Sequence, residues 1–226
     1  MFENRGDMKE KRGVKTRNAL IEAGLELFGE FGIEGTSTGM LSQRAGTNIA
    51  AINYHFGGKN ELYCVVAEHI CHVIKEHMKP AFSQIKMSDI DKIEQGQAEE
   101  HCIEILSCLA MFFAEKNEAY SASKIIMREQ SKPTEVFAIF YKNVMAPTQK
   151  IITTLIAKAT GHSPNMQLVK VHTHLFLGQA LGLRVARESF LRHLEKAELS
   201  SEELSTIYVA VRMQVHAGLA AMRGEI

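Results

Sequence analysis

Residues 36–59 read TSTGMLSQRAGTNIAAINYHFGGK, and the rest of the chain is best read outward from them. Thr36, Ser37 and Thr38 offer hydroxyls to cap a helix that carries Met40, Leu41 and Ala45. Ala45-Gly46 is a sharp turn in which Gly46 supplies the backbone freedom. A short helix over about 48–55 follows, with Ile49, Ile52 and Phe56 expected to turn inward. Leu41, Ala45, Ile49 and Ile52 would then join the two helices. Gly57-Gly58 breaks the chain before a long helix over about 59–79, which ends near Pro80. No Asp or Glu occurs from Gly35 through Asn60, although the chain carries 26 acids. Such a surface suits phosphates, which repel carboxylates.

A helix-turn-helix needs a positioning helix, a tight turn and a second helix that enters the major groove. The outward positions of that second helix are Thr47, Asn48, Ala50, Ala51 and Asn53. Asparagine can read a base edge through two hydrogen bonds, and alanine permits close approach to a thymine methyl. Tyr54, His55 and Lys59 are expected over the backbone as donors to phosphate. Thr38 and Arg44 of the positioning helix complete the DNA-binding set, with the motif itself at Ser37 to Phe56. Just upstream, Lys9, Lys11, Arg12, Lys15 and Arg17 face a single acid, Glu10. A basic arm beside an acid-free module is a local nucleic-acid footprint.

That footprint sits in a neutral chain. Lys+Arg and Asp+Glu are both 26 in 226 residues, so bulk charge predicts no partner. A hydrophobic content of 46% with four prolines favours a compact, mostly helical protein with a substantial core. Cys64, Cys71, Cys102 and Cys108 lack CxxC spacing and sit in apolar helical runs, as small buried hydrophobes of a reducing compartment do. The charged N-terminus and the lack of a membrane-length apolar run point to a cytoplasmic protein without a membrane partner. Glu68 and His72, near Cys64 and Cys71, are the best metal cluster, but HExxH, CxxC and ExxH are absent. His172 and His174 would point about 200° apart on a helix. Neither a metal nor another cofactor is expected. GxSxG, GxGxxG and Walker patterns are also absent, which argues against an enzyme.

Helical periodicity continues along the chain. A first helix covers about 15–31, with Ala19, Leu20, Ala23, Leu27 and Phe28 on one face and Gly32 as its cap. Polar residues 87–97 form a joint, and helices follow over about 97–116 and 118–130. Pro133 opens the next, which bends at Pro147 and ends near Gly161. Ser163-Pro164 would start a helix running to about Leu194, and Ser200-x-x-Glu203 is a capping box for the last one, ending at Arg223. The fold class is all-α, with about nine or ten helices.

The run FGEFGIEGTSTGMLSQRAGTNIAAINYHFGGKNELY resembles the head of the tetracycline-repressor (TetR) family of bacterial transcription regulators. Phe28, Gly32, Thr38, Leu41, Ala45-Gly46, Tyr54, Phe56, Lys59 and Leu62 carry the likeness, over about Val14 to Ile74. Residues 174–194, HLFLGQALGLRVARESFLRHL, resemble the core of the family's CecR-like branch. Gly39 departs from the pattern, where a larger residue is common, and softens the start of the positioning helix.

The resemblance implies a DNA-binding domain at 14–74 and a ligand-sensing, dimerising domain at 75–226. It implies an apolar effector pocket among Cys102, Leu106, Leu109, Phe112, Phe113, Phe137, Phe140, Tyr141 and Met145. It also implies a homodimer made by the last two long helices, which fits Leu175, Gly178, Leu181, Gly182, Val185, Ile207, Val211 and Val215. The expected partners are a palindromic double-stranded DNA operator, a second copy and a small-molecule effector. The expected role is a ligand-released repressor.

Overall fold

The computed structural model describes residues 3–83, 87–115 and 119–225. The Lys9 side chain, and residues 116–118 where two helices were expected to meet, lie outside the described residues. Every regular element described is helical: α1 (Glu3–Gly35), α2 (Thr38–Arg44), α3 (Ile49–Phe56), α4 (Lys59–Ser83), a 3-10 turn (Met87–Lys92) and α5 (Gln95–Ala114). There follow α6 (Ala119–Ser131), α7 (Glu135–Phe140), a π-helical turn (Tyr141–Met145), α8 (Ala146–Thr160), α9 (Gln167–Val185), α10 (Arg187–His193) and α11 (Ser201–Arg223). Among these residues no helix is long and apolar enough to cross a membrane.

The chain divides into two compact units, residues 1–73 with 120–143 and residues 74–119 with 144–226. The first unit is larger than the 14–74 segment read from the sequence, because α6 and α7 cluster with it. Its core is built on Leu20, Phe28, Leu41, Ile52, Leu62 and Val66, all fully buried. Each such side chain contributes about 1.5–3 kcal/mol by leaving water. Phe28 and Tyr63 meet edge to face with ring centres 4.9 Å apart, joining α1 to α4. The basic arm is not an extension ahead of the first helix, because α1 already begins at Glu3. It kinks at Gly32, whose φ of 71° and ψ of 174° lie outside helical space. The Thr36 hydroxyl closes this corner by donating to Gly32 O at 2.7 Å.

In the second unit α5 is the central element, packed by α8, α9 and α11. Ala98, Cys102, Ile105, Leu106 and Ala110 are buried along it. Arg184 and Arg187 donate to the carbonyls of Glu115 and Ala114, both at 2.5 Å. These cations therefore satisfy the C-terminal end of α5, where carbonyls lack helical partners. Opposite charges also stitch α5 to α11, with Arg212 at 2.6 Å from Glu100 and Arg223 at 2.7 Å from Glu99. The capping box at the start of α11 is formed, and the Glu203 carboxylate accepts the Ser200 N–H at 2.7 Å.

Several boundaries differ from the sequence reading. α4 continues through Pro80 to Ser83. Ser163-Pro164 forms a turn ahead of α9, closed by Met166 N–H to Ser163 O at 3.0 Å, rather than starting the helix. The expected helix to Leu194 is interrupted at Ala186, after which α10 begins.

Candidate DNA-binding surface

Local chemistry positions α2 and α3. Ser37 caps α2 by accepting the Met40 N–H at 3.1 Å. Gly46 takes φ +62° in the turn, and no other atom lies within 4 Å of where a Cβ would stand. The left-handed backbone, and not crowding, is what calls for glycine there. Asn48 caps α3, its Oδ1 accepting the Ala51 N–H at 3.0 Å. Leu41 and Ile52 are fully buried and hold the two helices together.

The face of α3 turned to solvent carries Asn48, Ala50, Asn53 and Tyr54, with Thr47 and Ala51 half-buried beside them. Tyr54 is 83% exposed and meets His55 edge to face. Ile49 corrects the expectation of an inward residue, being 51% exposed. As the first residue of α3 it points away from the core, adding an apolar group to the outward face.

Two residues of the expected DNA-binding set have other work. Lys59 Nζ donates to Ile33 O at 2.8 Å and Thr36 O at 3.0 Å, tying the start of α4 to the end of α1. Arg44 lies 2.6 Å from Glu26, with both side chains more than half exposed. An exposed pair of this kind is worth about 0–1 kcal/mol, so a phosphate could displace the carboxylate at little cost. Thr38 is half-buried at the first position of α2.

The residues expected around an effector divide between the units. Cys102, Leu106, Leu109 and Phe112 are buried in the second, where Phe113 and Met145 are half-buried. Burial pushes the Cys102 thiol up to about 12, so it is an inert apolar group. Phe140 is buried in the first unit, where Phe137 stacks on Tyr141 with ring centres 6.0 Å apart. A cleft of about 460 Å³ occurs elsewhere in the second unit, lined by Ile90, Ile93, Glu94, Thr154, Lys158 and His162 among others.

On α9, Leu175, Gly178 and Val185 are exposed, with Leu181 and Gly182 half-buried. Leu168 and Val171 extend the same helical stripe. On α11, Ile207 and Val215 are buried within their own chain at 6% and 1% exposure. They are corrected from pairing residues to core residues. The row 207, 211, 215, 219 faces α5, and Val211 on that row is half-buried. Val209 and Met213 are the exposed large apolar residues of α11.

The two halves of the chain match two family models. Residues 20–64 match the bacterial regulatory proteins of the tetR family. Residues 98–222 match the C-terminal domain of the HTH-type transcriptional dual regulator CecR. The chain belongs to the TetR family of transcription regulators, in its CecR-like branch. A relative from Shigella flexneri, described as the HTH-type transcriptional dual regulator CecR, is 33% identical over 184 residues, covering 80% of each chain. Among solved structures, AibR in complex with isovaleryl coenzyme A and operator DNA has a TM-score of 0.62 at 15% identity, covering 88% of this chain and 97% of its own. A TetR-like regulator from Rhodococcus sp. RHA1 has a TM-score of 0.62 at 12% identity, covering 91% and 96%. Proteins of this family are transcriptional regulators and not enzymes.

The two outward asparagines make a testable contrast. Asn53→Ala is expected to cost about 1–3 kcal/mol of specific DNA binding and to relax preference at one position per half-site. Asn48→Ala is expected also to lower the thermal midpoint, since losing an N-cap costs about 0.5–2 kcal/mol. Selection from random duplexes and thermal unfolding measure the two effects; unchanged base preference in both variants would remove asparagine from the readout.

Proposed function

We propose that the protein is a dimeric repressor that binds a palindromic operator and is released by a small, largely apolar effector. The observation that supports it best is the outward face of α3, where Asn48, Ile49, Ala50, Asn53 and Tyr54 are exposed within an acid-free stretch. Thr38, Arg44, Thr47, Ala51, His55 and Lys59 are assigned to the same DNA-binding surface. The segment 14–74 acts as the DNA-binding domain, and 75–226 senses the effector and dimerises, in the cytoplasm where the DNA is.

The dimer is assigned to α9 and α11. Leu168, Val171, Leu175, Gly178, Gly182 and Val185 make one apolar row, and an added Cβ at Gly178 or Gly182 would meet no atom within 4 Å. A second copy can therefore approach the α9 backbone closely. Two-fold symmetry is also what a palindrome requires. The effector is assigned to the α5 set around Cys102, Leu106, Leu109, Phe112 and Phe113. AibR, whose structure holds isovaleryl coenzyme A and operator DNA, supports a regulator that takes both a small molecule and DNA.

Duplexes selected from a random pool should contain two half-sites about 34–36 Å apart, bound by two chains. Single half-sites, or no enrichment, would overturn the reading. Effector and DNA should weaken each other by the same factor, about 5–150-fold, because coupling is reciprocal. An effector that binds free protein and DNA complex equally would exclude release as the mechanism.

A further inference from the structure

Ile49 opens α3, the helix assigned to reading DNA, and the chain's own packing leaves about half of it in water. Asn48 caps that helix, so Ile49 is its first residue with helical backbone. Ala50 and Asn53 beside it are exposed as well. Residues four apart on a helix share a face, with Cβ atoms about 5–6 Å apart, which makes Ile49 the neighbour of Asn53. The inward side of α3 is served by Ile52, which is fully buried. No Asp or Glu occurs from Gly35 through Asn60, so the surroundings of Ile49 hold no carboxylate from this stretch to keep a nucleic acid away.

A single exposed apolar residue elsewhere on a surface would need no explanation. Here its position decides, because the N-terminal residues of a recognition helix are those that reach base edges. The isoleucine side chain has neither donor nor acceptor, so it can neither hold a phosphate nor read the hydrogen-bonding pattern of a base pair. The apolar group that the major groove presents is the thymine C5-methyl. A branched Cβ also restricts χ1 in a helix, so little freedom is lost when the side chain is covered. We propose that Ile49 is a specificity-determining residue that packs against a thymine methyl beside the base pair read by Asn53. The inference rests on the DNA-binding reading above and names a base that reading leaves open. The Cβ spacing equals about two base-pair rises, which places the thymine within about two base pairs of the position that Asn53 reads. Discrimination at that position comes from a methyl group rather than from hydrogen bonds.

The test uses the full-length protein and a duplex carrying the site enriched from a random pool. Each thymine of the half-site is replaced in turn by uracil, in both half-sites at once, which removes the methyl and leaves the base pairing intact. For the unmodified protein, one replacement should weaken binding by about 4-fold per half-site, the effect of exposing one methyl-sized group. Ile49→Ala should bind the thymine site more weakly and should no longer distinguish thymine from uracil at that position, while any other uracil effects persist. Ile49→Gln, a second variant that keeps the length of the side chain, should lose the same discrimination. Uracil effects that are equal in the unmodified and substituted proteins at every thymine would overturn the proposal, because none would then pass through Ile49. An enriched half-site without thymine would overturn it too, as would an equal loss for Ile49→Ala on the enriched site and on random duplexes. Failure of the unmodified protein to bind any enriched duplex would instead overturn the DNA-binding reading itself.

Discussion

Gly32→Ala is expected to lower the thermal midpoint by several degrees and to weaken DNA binding with it. The backbone there has φ 71° and ψ 174°, a region essentially confined to glycine, where any other residue costs about 1–3 kcal/mol. For a chain of this size each kcal/mol moves the midpoint by about 2–4 °C. A second obstacle is Arg128, whose Nη1 would lie 1.7 Å from the new Cβ. That atom is the far end of a flexible side chain and can swing away, so the backbone term should dominate. The corner matters for function because Thr36 donates to Gly32 O and Lys59 bonds Ile33 O and Thr36 O immediately beyond it. A strained corner would misplace Ser37, the cap of α2, and with it the α2–α3 pair. Thermal unfolding of Gly32→Ala beside Gly32→Ala/Arg128→Ala separates the causes. Full recovery in the double variant would mean that contact with Arg128, and not backbone conformation, demands glycine.

What was legible in the sequence was local. Gly46 declares its turn because few residues tolerate positive φ, and Ser200 with Glu203 declares a helix start because both partners lie within one turn. Ile49 misled because an apolar residue in the first turn of a helix fits the inward period whether or not anything covers it. Ile207 and Val215 were rightly read as apolar and helical. Which side of α11 meets α5 depends on packing that periodicity alone does not choose. Asn48 reads from the sequence as a base reader, and the structure makes it the cap of α3, a role its side-chain oxygen fills. Lys59 showed its charge in the sequence but not its acceptors, which lie 26 and 23 residues away. Glu129 carries no such local sign. A glutamate in an amphipathic helix reads as solvated, and its partner Tyr63 is 66 residues distant.

Removing the Glu129 carboxyl should be among the costliest single changes in the first unit. Glu129 is 2% exposed. It accepts the Tyr63 hydroxyl at 3.0 Å and the Thr134 N–H at 2.9 Å, and Thr134 Oγ1 also donates to it. Glu129→Ala would strand the buried Tyr63 hydroxyl, at about 1–3 kcal/mol, and would leave a cavity as well. Thr134, which caps α7, is exposed and can turn to water, so the α7 end should suffer less. Tyr63→Phe should therefore cost less in the Glu129→Ala background than alone, because the stranded group is then gone. A double-mutant cycle with zero coupling would mean that the pair contributes only its packing. The pair also predicts a dependence on pH. Burial, then the charge of Glu129 and its hydrogen bond, raise the Tyr63 pKa above its ordinary value. A raised pKa means that the folded state keeps a proton that the unfolded chain releases above about pH 10. Stability from this group is complete below that pH and falls as pH rises beyond it. Tyr63→Phe, although less stable at pH 7, should thus lose less stability than the unmodified protein between pH 9 and pH 11, within about that window. Identical alkaline slopes for the two proteins in denaturant titrations would remove Tyr63 as the titrating group.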